Sequence, residues 1–506
     1  MHQVTSDTHC ILTVSSINEI EKAYETATPP LMSLAGLSIA ARVKKLCPDL
    51  HTSILIVVGP GNNGADAVIA AAHLYEWGYK PAILTKRNPQ TLPAEALSAW
   101  QRWESDETVL YKDFPKTGQW QVIIDGIFGI GLDRPVEGHY ADWIDFINIY
   151  YGQQTLILSV DIPSGLNADT GSVMGTAVHA IQTISFIAYK PGLLTNDGPD
   201  CCGEITIDTL SVEIEENIEN AGLVSNPSLF QGILPLRRKN THKGDYGTVG
   251  VIGGADGMVG ALLLSARAAV KLGAGKVIAG SLAKHSPVVD YLYPEIMVKS
   301  AQRLTELVSE EAIDDFDVLV LGPGMGELVY TGTPIIRTSL LHTLPIVLDA
   351  DALNQIAVDQ YLQKMITERK AVTIMTPHPG EAARLLDASV DWVQSDRLRA
   401  AKTLSEQFNA IVVLKGSGTV ITAPDGRWFI NRTGNPGMAS GGMGDCLTGM
   451  IAALMAQGVD PFMATGCAVC LHGAAADACL YSGVGPIGLT ASDIIDNARG
   501  LLNRLC

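Results

Sequence analysis

Two stretches of this 506-residue chain share one construction: an unbroken aliphatic run, a glycine-rich turn, then a helical segment. In the first half SILIVVG (Ser53–Gly59) is followed by the loop Pro60–Gly64 and by AVIAAAHLYEWG. In the second half TVGVIGG (Thr248–Gly254) leads into ADGMVGA, which ends at Ala261. A β-branched run without polar alternation is buried on both faces, and that requires a parallel sheet covered by helices. Glycine lets the backbone approach a ligand, and the free N–H groups at a helix start favour anions such as phosphate. Two such units in one chain predict two nucleotide-type sites.

Further runs fill out both halves. PAILT, QVIIDGIFG, TLILSVD and TISFIAY read as strands of the first series, and KVIAG, DVLVLG, PIVLDAD, AVTIMTP and AIVVLKG as strands of the second. Strand, helix and strand in alternation give an α/β fold with a parallel sheet. Between the series lies an acidic, then polar stretch, SVEIEENIENAGLVSNPSLFQG. The boundary is expected near residues 222–235, dividing the chain into domains 1–225 and 226–506. Each is long enough for its own core.

Composition limits the function. Lys and Arg total 35 against 53 Asp and Glu, a net charge of −18. Such a chain repels phosphate backbones and anionic membranes, so no nucleic-acid or membrane partner is expected. Nine irregularly spaced cysteines suit reduced cytosolic thiols, not a disulfide framework. Cys467 and Cys470 have metal-pair spacing but sit in an apolar run without a second pair, and read as buried helix thiols. The N-terminus lacks the pattern of a secretory signal. Gly458, Asp460 and Pro461 interrupt the most apolar region, so no membrane-spanning helix is expected. The chain is expected to be soluble and cytoplasmic.

Three loops of the first half follow predicted strand ends: Gly59–Asp66, Asp125–Pro135 and Asp161–Leu166. Ligands of open α/β sheets bind at that edge. Asn63, Asp125 and Ser164 offer amide, carboxylate and hydroxyl oxygens, hard ligands suited to an alkali or alkaline-earth ion. Asp161 is a candidate general acid or base if its surroundings raise its pKa towards neutrality. Asp and Asn after strands are also common helix caps and turn formers, and that reading stays open for each loop taken alone.

GPGNNGAD, DGIFGIGLDRP and DIPSGL together closely resemble the N-terminal epimerase domain of bifunctional NAD(P)H-hydrate repair enzymes, as does LMSLAG (Leu31–Gly36). The resemblance covers roughly residues 12–220. It implies a Rossmann-like three-layer domain that interconverts the R and S epimers of hydrated NADH or NADPH. By the same resemblance Asn62, Asn63, Gly64, Ala65 and Asp66 line the nicotinamide nucleotide, together with Gly129, Ile130, Gly131, Leu132, Asp133, Arg134 and Pro135. Asn63, Asp125 and Ser164 would hold a potassium ion, Asp161 would touch the substrate, and Tyr140 lies in a matching position. The family pattern has glycines on both sides of Asp66 where this chain has Ala65 and Ala67, and a methyl group there is expected to crowd the approach of phosphate. The substrate's hydroxyl-bearing ring carbon is bonded to nitrogen. Protonation of the hydroxyl opens an iminium-like state that loses configuration, and Asp161 is the candidate to shuttle that proton.

The second half carries His242–Asp245, Leu321–Gly326, Asp349–Asn354, Thr376–Glu381, Lys415–Thr419 and Asn435–Asp445. GGMGD (Gly441–Asp445) places glycine amides at a helix start beside one carboxylate. The amides can hold a transferring phosphate, and Asp445 can accept the proton of an attacking hydroxyl, an arrangement used by ribokinase-like enzymes. KGSGT fits a second phosphate-holding loop, with Lys415 open to local capping or pairing instead. His378, fixed between two prolines, is read either as an ordinary hydrogen-bonding residue or as a substrate contact. No Cys or His partners stand at zinc spacing. Met258, Met325, Met438 and Met443 read as gap fillers.

HKGDYG, GGADGMVGA, LGPGMG, DADALN, TPHPGE, LKGSGT and NPGMASGGMGD, in that order, strongly resemble the dehydratase domain of the same enzymes, over roughly residues 232–503. The resemblance implies a ribokinase-like α/β domain. Ala261, Gly326, His378 and Asp445 would contact the hydrated nucleotide, and Lys415, Gly416, Ser417, Gly418, Thr419 and Gly444 the phosphoryl donor. The hydrate's hydroxyl is phosphorylated and phosphate is then eliminated, regenerating NADH or NADPH. Bacterial members of this fused form generally use ADP and give AMP, with Mg²⁺ as counter-ion. No motif here separates ADP from ATP. A homo-oligomer is compatible with this class, though the sequence identifies no interface.

The runner-up reading is a ribokinase-type small-molecule kinase with an accessory domain, which the GGMGD loop alone would permit. A non-catalytic scaffold is the third. Intact Asp125, Asp161 and Asp445 argue against it.

Overall fold

A computed structural model describes residues 9–115, 119–214, 221–300, 315–326 and 332–505. Residues 215–220 of the acidic stretch between the two strand series, and the first eight of the N-terminus, lie outside the described residues. The chain divides into two compact units, Met1–Leu223 and Val224–Cys506.

The first unit comprises α1 (Val14–Ala23), α2 (Leu31–Leu46), β1 (Ile54–Val58), α3 (Asn62–Glu76), β2 (Ala82–Leu84), α4 (Ala94–Trp103), β3 (Leu110–Tyr111), β4 (Val122–Gly126), α5 (His139–Ile149), β5 (Leu156–Val160), β6 (Gln182–Phe186) and β7 (Glu204–Asp208). Its sheet runs β3-β2-β1-β4-β5-β6-β7 and is parallel throughout. Every residue of β1 is buried. Because side chains alternate across a strand, Ile54, Ile56 and Val58 pack with α2, α3 and α4, while Leu55 and Val57 pack with Trp143, Ile144 and Ile147 of α5. The result is the three-layer arrangement expected from the aliphatic runs.

One boundary differs from the sequence reading. Gly61 caps α3, so Asn62–Asp66 is not a loop but the helix's first turn. The turn out of β1 is therefore short, and Asn63 and Asp66 share one helix face. The polar edge strand β7 was not legible either, because EITID has no aliphatic run.

The second unit comprises β8 (Thr248–Gly253), α6 (Val259–Lys271), β9 (Lys276–Ser281), β10 (Met297–Ser300), β11 (Val318–Leu321), β12 (Ile346–Leu348), α7 (Ala350–Val358), β13 (Thr373–Met375), α8 (Pro379–Leu385), α9 (Arg397–Phe408), β14 (Ile411–Leu414), β15 (Val420–Thr422), β16 (Trp428–Asn431), α10 (Met443–Ala456), α11 (Pro461–Tyr481) and α12 (Ala491–Leu505). These strands lie in the order β16-β15-β14-β13-β12-β11-β8-β9-β10. They are parallel from β14 to β10, and β15 and β16 add an antiparallel hairpin. That hairpin is turned by Asp425-Gly426, a dipeptide of the hairpin type. Gly449 lets α10 lie directly on α6: a Cβ there would collide with the Ser265 carbonyl.

α11 starts at Pro461, capped by the Asp460 carboxylate, and runs 21 residues. By length and apolar composition it is long enough to cross a membrane. Most of it is buried in the core, with Phe462, Cys467, Cys470, Leu471 and Ala475 packed beside α10 and α12. Burial pushes the Cys470 thiol up to about 12, which makes it inert. The eight described cysteines are free.

Candidate functional sites

In the first unit, β1, β2, β4 and β5 all end at the same edge because they are parallel. A cavity of about 730 Å³ opens there, walled by Asn62, Asn63, Asp66, Asp161, Lys190 and the run Gly129–Arg134, with Glu21 of α1 on its far side.

Asn63, Asp125 and Ser164 are brought together. Asn63 Nδ2 donates to the carbonyls of Phe128 (2.8 Å) and Val160 (2.6 Å). Asp125 is opposite Ser159 in the β4–β5 register and accepts its hydroxyl at 2.8 Å. It also accepts the Ser164 amide at 2.9 Å and the Ser164 hydroxyl at 2.5 Å. Burial raises the Asp125 pKa, and these hydrogen bonds partly offset it.

Asp161 is held in the left-handed region, φ +63°, a conformation costly for a non-glycine residue and concentrated at functional sites. Its carboxylate accepts the ammonium of Lys190, the hydroxyl of Ser185 (3.1 Å) and the amide of Phe186 (3.1 Å). Lys190 is only 1% exposed. The expected lone titrating carboxyl is thus half of a buried ion pair. Sequence reasoning missed Lys190, although it is the one charged residue closing the apolar run TISFIAYK. Asp66 is different. Burial pushes its carboxyl well above the usual range, and the charges of Asp161 and Glu21 add to the effect.

Gly64 and Ala65 do not reach the cavity wall, nor do Pro135 and Tyr140. Ala65 and Ala67 are fully buried in the core under α3, and Ala67 lies against Gly126. Their methyl groups are packed into the core and do not line the cavity. Tyr140 packs edge-on against the cavity-lining Phe128, centroids 5.0 Å apart.

In the second unit, Asp349, Thr376 and Lys415 follow β12, β13 and β14 at one edge. Lys415 Nζ lies 2.7 Å from Asp349 Oδ1 and 3.9 Å from Glu381 Oε2. Thr376 donates its hydroxyl to Asp349 at 2.8 Å. Burial works against the Lys415 ammonium, but Asp349 and Glu381 outweigh it and hold its pKa above the ordinary value. Lys415 is thus paired with Asp349 at the start of the 415–419 loop.

Gly444, at the start of α10, rests on this pair: a Cβ there would stand 3.3 Å from Lys415 Nζ and 3.5 Å from Asp349 Oδ2. Asp445 follows it. Burial and then the Asp349 charge push the Asp445 carboxyl up to about 6, with Lys415 pulling the other way. That places a carboxyl near neutrality at a helix N-terminus with preorganised donors.

His378 caps α8, its Nδ1 accepting the Gly380 amide at 2.9 Å. The proton therefore sits on Nε2, 3.3 Å from Glu381 Oε1. Gly326 donates its amide to Asp351 at 2.7 Å, and a Cβ on Gly324 would stand 3.0 Å from the Ala261 Cβ. The 415–419 loop is closed by the Thr419 hydroxyl on the Gly416 carbonyl, 3.0 Å. Arg397, buried beneath it, donates to the carbonyls of Leu414 (3.1 Å) and Lys415 (3.2 Å). Asp349, Glu381 and Arg397 had no assigned role in the sequence reading. Asp349 and Glu381 stood inside the motifs DADALN and TPHPGE, and Arg397 had no signal.

Each unit thus presents a phosphate-ready helix start and a carboxyl of shifted acidity at its strand ends, which defines a two-site enzyme acting on nucleotides. Family models agree in both units: residues 29–192 match the YjeF-related protein N-terminus, and residues 249–498 match NAD(P)H-hydrate dehydratase. The chain is 38% identical over 481 residues to the bifunctional NAD(P)H-hydrate repair enzyme Nnr of Coxiella burnetii, covering 94% of each. To the enzyme of that name from Escherichia coli K12 it is 36% identical, covering 94% of this chain and 89% of the other. The solved ADP/ATP-dependent NAD(P)H-hydrate dehydratase of Bacillus subtilis, crystallised with ATP and Mg²⁺, is 31% identical with a TM-score of 0.51, over 58% of this chain and all of that one. A ribokinase-like protein of Enterococcus faecalis, 24% identical with a TM-score of 0.50 over 58% of this chain and 99% of its own, shares the fold. The chain belongs to the family of bifunctional NAD(P)H-hydrate repair enzymes. The reading as a ribokinase-type small-molecule kinase with an accessory domain is not favoured, since the relatives that span both units are named bifunctional NAD(P)H-hydrate repair enzymes.

Proposed function

We propose that the first unit epimerises hydrated NADH and NADPH and that the second dehydrates the S form at the expense of ADP. The observation that carries this is Asp445, near-neutral in acidity, beside the Lys415–Asp349 pair at the start of α10.

In the first unit, neutral Asp66 gives a proton to the ring hydroxyl, and the C–O bond loosens as the ring nitrogen shares the positive charge. The Asp161 carboxylate, anchored by Lys190, faces that charge. Return of water to the other face inverts the centre, and the proton returns to Asp66. Neutral carbonyls, one carboxylate and one hydroxyl around Asn63, Asp125 and Ser164 suit a large hard cation. Potassium there would fix the loops that line the cavity.

In the second unit, Asp445 takes the proton of the hydrate's hydroxyl as that oxygen attacks the terminal phosphorus of ADP, releasing AMP. Lys415, the 415–419 loop and the Gly444 amide hold the phosphates. The phosphorylated intermediate then loses inorganic phosphate and a proton from the adjacent carbon, restoring the double bond. Among the described residues no three His, Cys, Asp or Glu side chains form a metal cage. This suits Mg²⁺ carried on phosphates and held by one or two carboxylates, here Asp349 and Glu381, where it would neutralise the transferring group. A cytoplasmic setting goes with free nucleotide substrates and reduced thiols.

The test is absorbance at the reduced-nicotinamide band after adding ADP and Mg²⁺ to mixed R and S hydrates. Full recovery with one phosphate per nucleotide is expected. A stable phosphorylated product without recovery would contradict the proposal.

A further inference from the structure

The epimerase cavity sets Glu21, Asp66 and Asp161 against Arg134 and Lys190, the latter already paired with Asp161, so a multiply anionic nucleotide calls for further cations. They stand at the end of β2. The chain leaves that strand as Thr85-Lys86-Arg87, and the next acidic residue is Glu95. Thr85 ties this exit to β1 through its hydroxyl on the Val58 carbonyl, 3.0 Å. Arg87 Nη1 donates to the carbonyl of Gly61, on the cavity wall, at 3.0 Å, and its Nε and Nη2 engage Thr91 at 3.3 and 2.8 Å. The guanidinium is thus docked beside the α3 N-terminus with further N–H groups to offer.

An aromatic wall stands opposite. Tyr140 packs between Phe128 and Trp143, at 5.0 and 5.4 Å, and Lys86 Nζ lies 5.9 Å from the Trp143 centroid. Burial raises the Tyr140 hydroxyl's pKa, and the charges of Arg87 and Lys86 act against it. Lys86 also meets Asp113 at 2.9 Å, a surface pair of little strength.

The sheet order gives the span. From Asp161 after β5 to Arg87 after β2 is three strand steps, about 14 Å, with the glycine turn of β1 between them. A dinucleotide laid across that crevice puts its diphosphate on the α3 start and its adenosine at the end of β2. In open sheets of this kind an acidic residue at that position takes the ribose 2′-hydroxyl, and arginine accommodates a 2′-phosphate.

Resting on the epimerase reading above, we propose that Lys86 and Arg87 form the subsite for the 2′-phosphate of the adenosine half, so that the epimerase prefers hydrated NADPH to hydrated NADH.

The experiment measures kcat/KM for epimerisation of both hydrates with the wild type, Arg87→Ala and Lys86→Ala. The wild type should favour the NADPH hydrate about tenfold or more, and each variant should collapse that ratio towards one through KM. Raising salt should erode the preference in the same way. Lys86 makes no bond to Gly61, so its variant separates phosphate recognition from loop support. A wild-type ratio near one, or equal losses on both hydrates with the ratio intact, would overturn the proposal. Failure of the wild type to epimerise either hydrate would overturn the epimerase reading with it.

Discussion

Lys190 sets its ammonium on the Asp161 carboxylate inside the first unit, and both are almost wholly shielded from water. Two charges buried there are costly unless every donor is used. Lys190 also donates to the Ser185 hydroxyl and the Phe186 carbonyl, each at 2.9 Å. Asp161 is thus held beside a cation, while burial pushes the Asp66 carboxyl well above the usual range.

Breaking that pair should be expensive. Lys190→Met leaves a buried carboxylate uncompensated and should cost about 3–5 kcal/mol of the first unit's stability. Denaturant unfolding followed by tryptophan emission measures it, since five of the seven tryptophans lie in that unit. Unchanged stability would show the pair to be dispensable.

Asp66→Asn should lower epimerase kcat about a hundredfold or more with a small change in KM, because the proton donor is lost and the binding surface is kept. Since Asp66 must be protonated to act, wild-type activity should fall as pH rises through its raised pKa. Stereochemical exchange followed by chromatography reads both.

The Asp445 carboxyl, pushed up to about 6, must be ionised to act as base, so dehydratase kcat/KM should fall below about pH 6 rather than near pH 4. The same shift has a stability consequence. A carboxyl whose folded pKa is raised opposes folding once it is ionised, and the opposition is complete above the folded value. Asp445→Asn should therefore abolish dehydration yet raise the melting temperature of the second unit at pH 8, with the gain vanishing below pH 4. Calorimetry at the two pH values checks it.

If Asn63, Asp125 and Ser164 hold potassium, exchange of potassium for choline should weaken the epimerase and leave Asn63→Leu no further to fall. Equal rates in both salts would contradict this ion site.

The strands were legible because β1, β4, β8 and β11 are aliphatic on both faces, a pattern only a covered parallel sheet tolerates. The hairpin β15–β16 and the edge strand β7 were not, because polar and aromatic residues interrupt them. The start of α3 was misplaced since Asn62–Asp66 has turn-forming composition, and only the Gly61 cap shows that helix begins there. Site residues on loops were legible as motifs. Lys190 and Arg397 were not, because their role depends on which buried carboxylate or carbonyl the fold sets opposite them, and spacing along the chain does not carry that.

The central claim is that one chain holds two separable activities that act in sequence. The direct measurement mixes two variants, Asp66→Asn and Asp445→Asn, and follows nicotinamide absorbance on mixed R and S hydrates with ADP. Asp66→Asn alone should stall once the S form is used, Asp445→Asn alone should recover nothing, and the mixture should run to completion. A mixture that stalls where Asp66→Asn stalls would contradict the account.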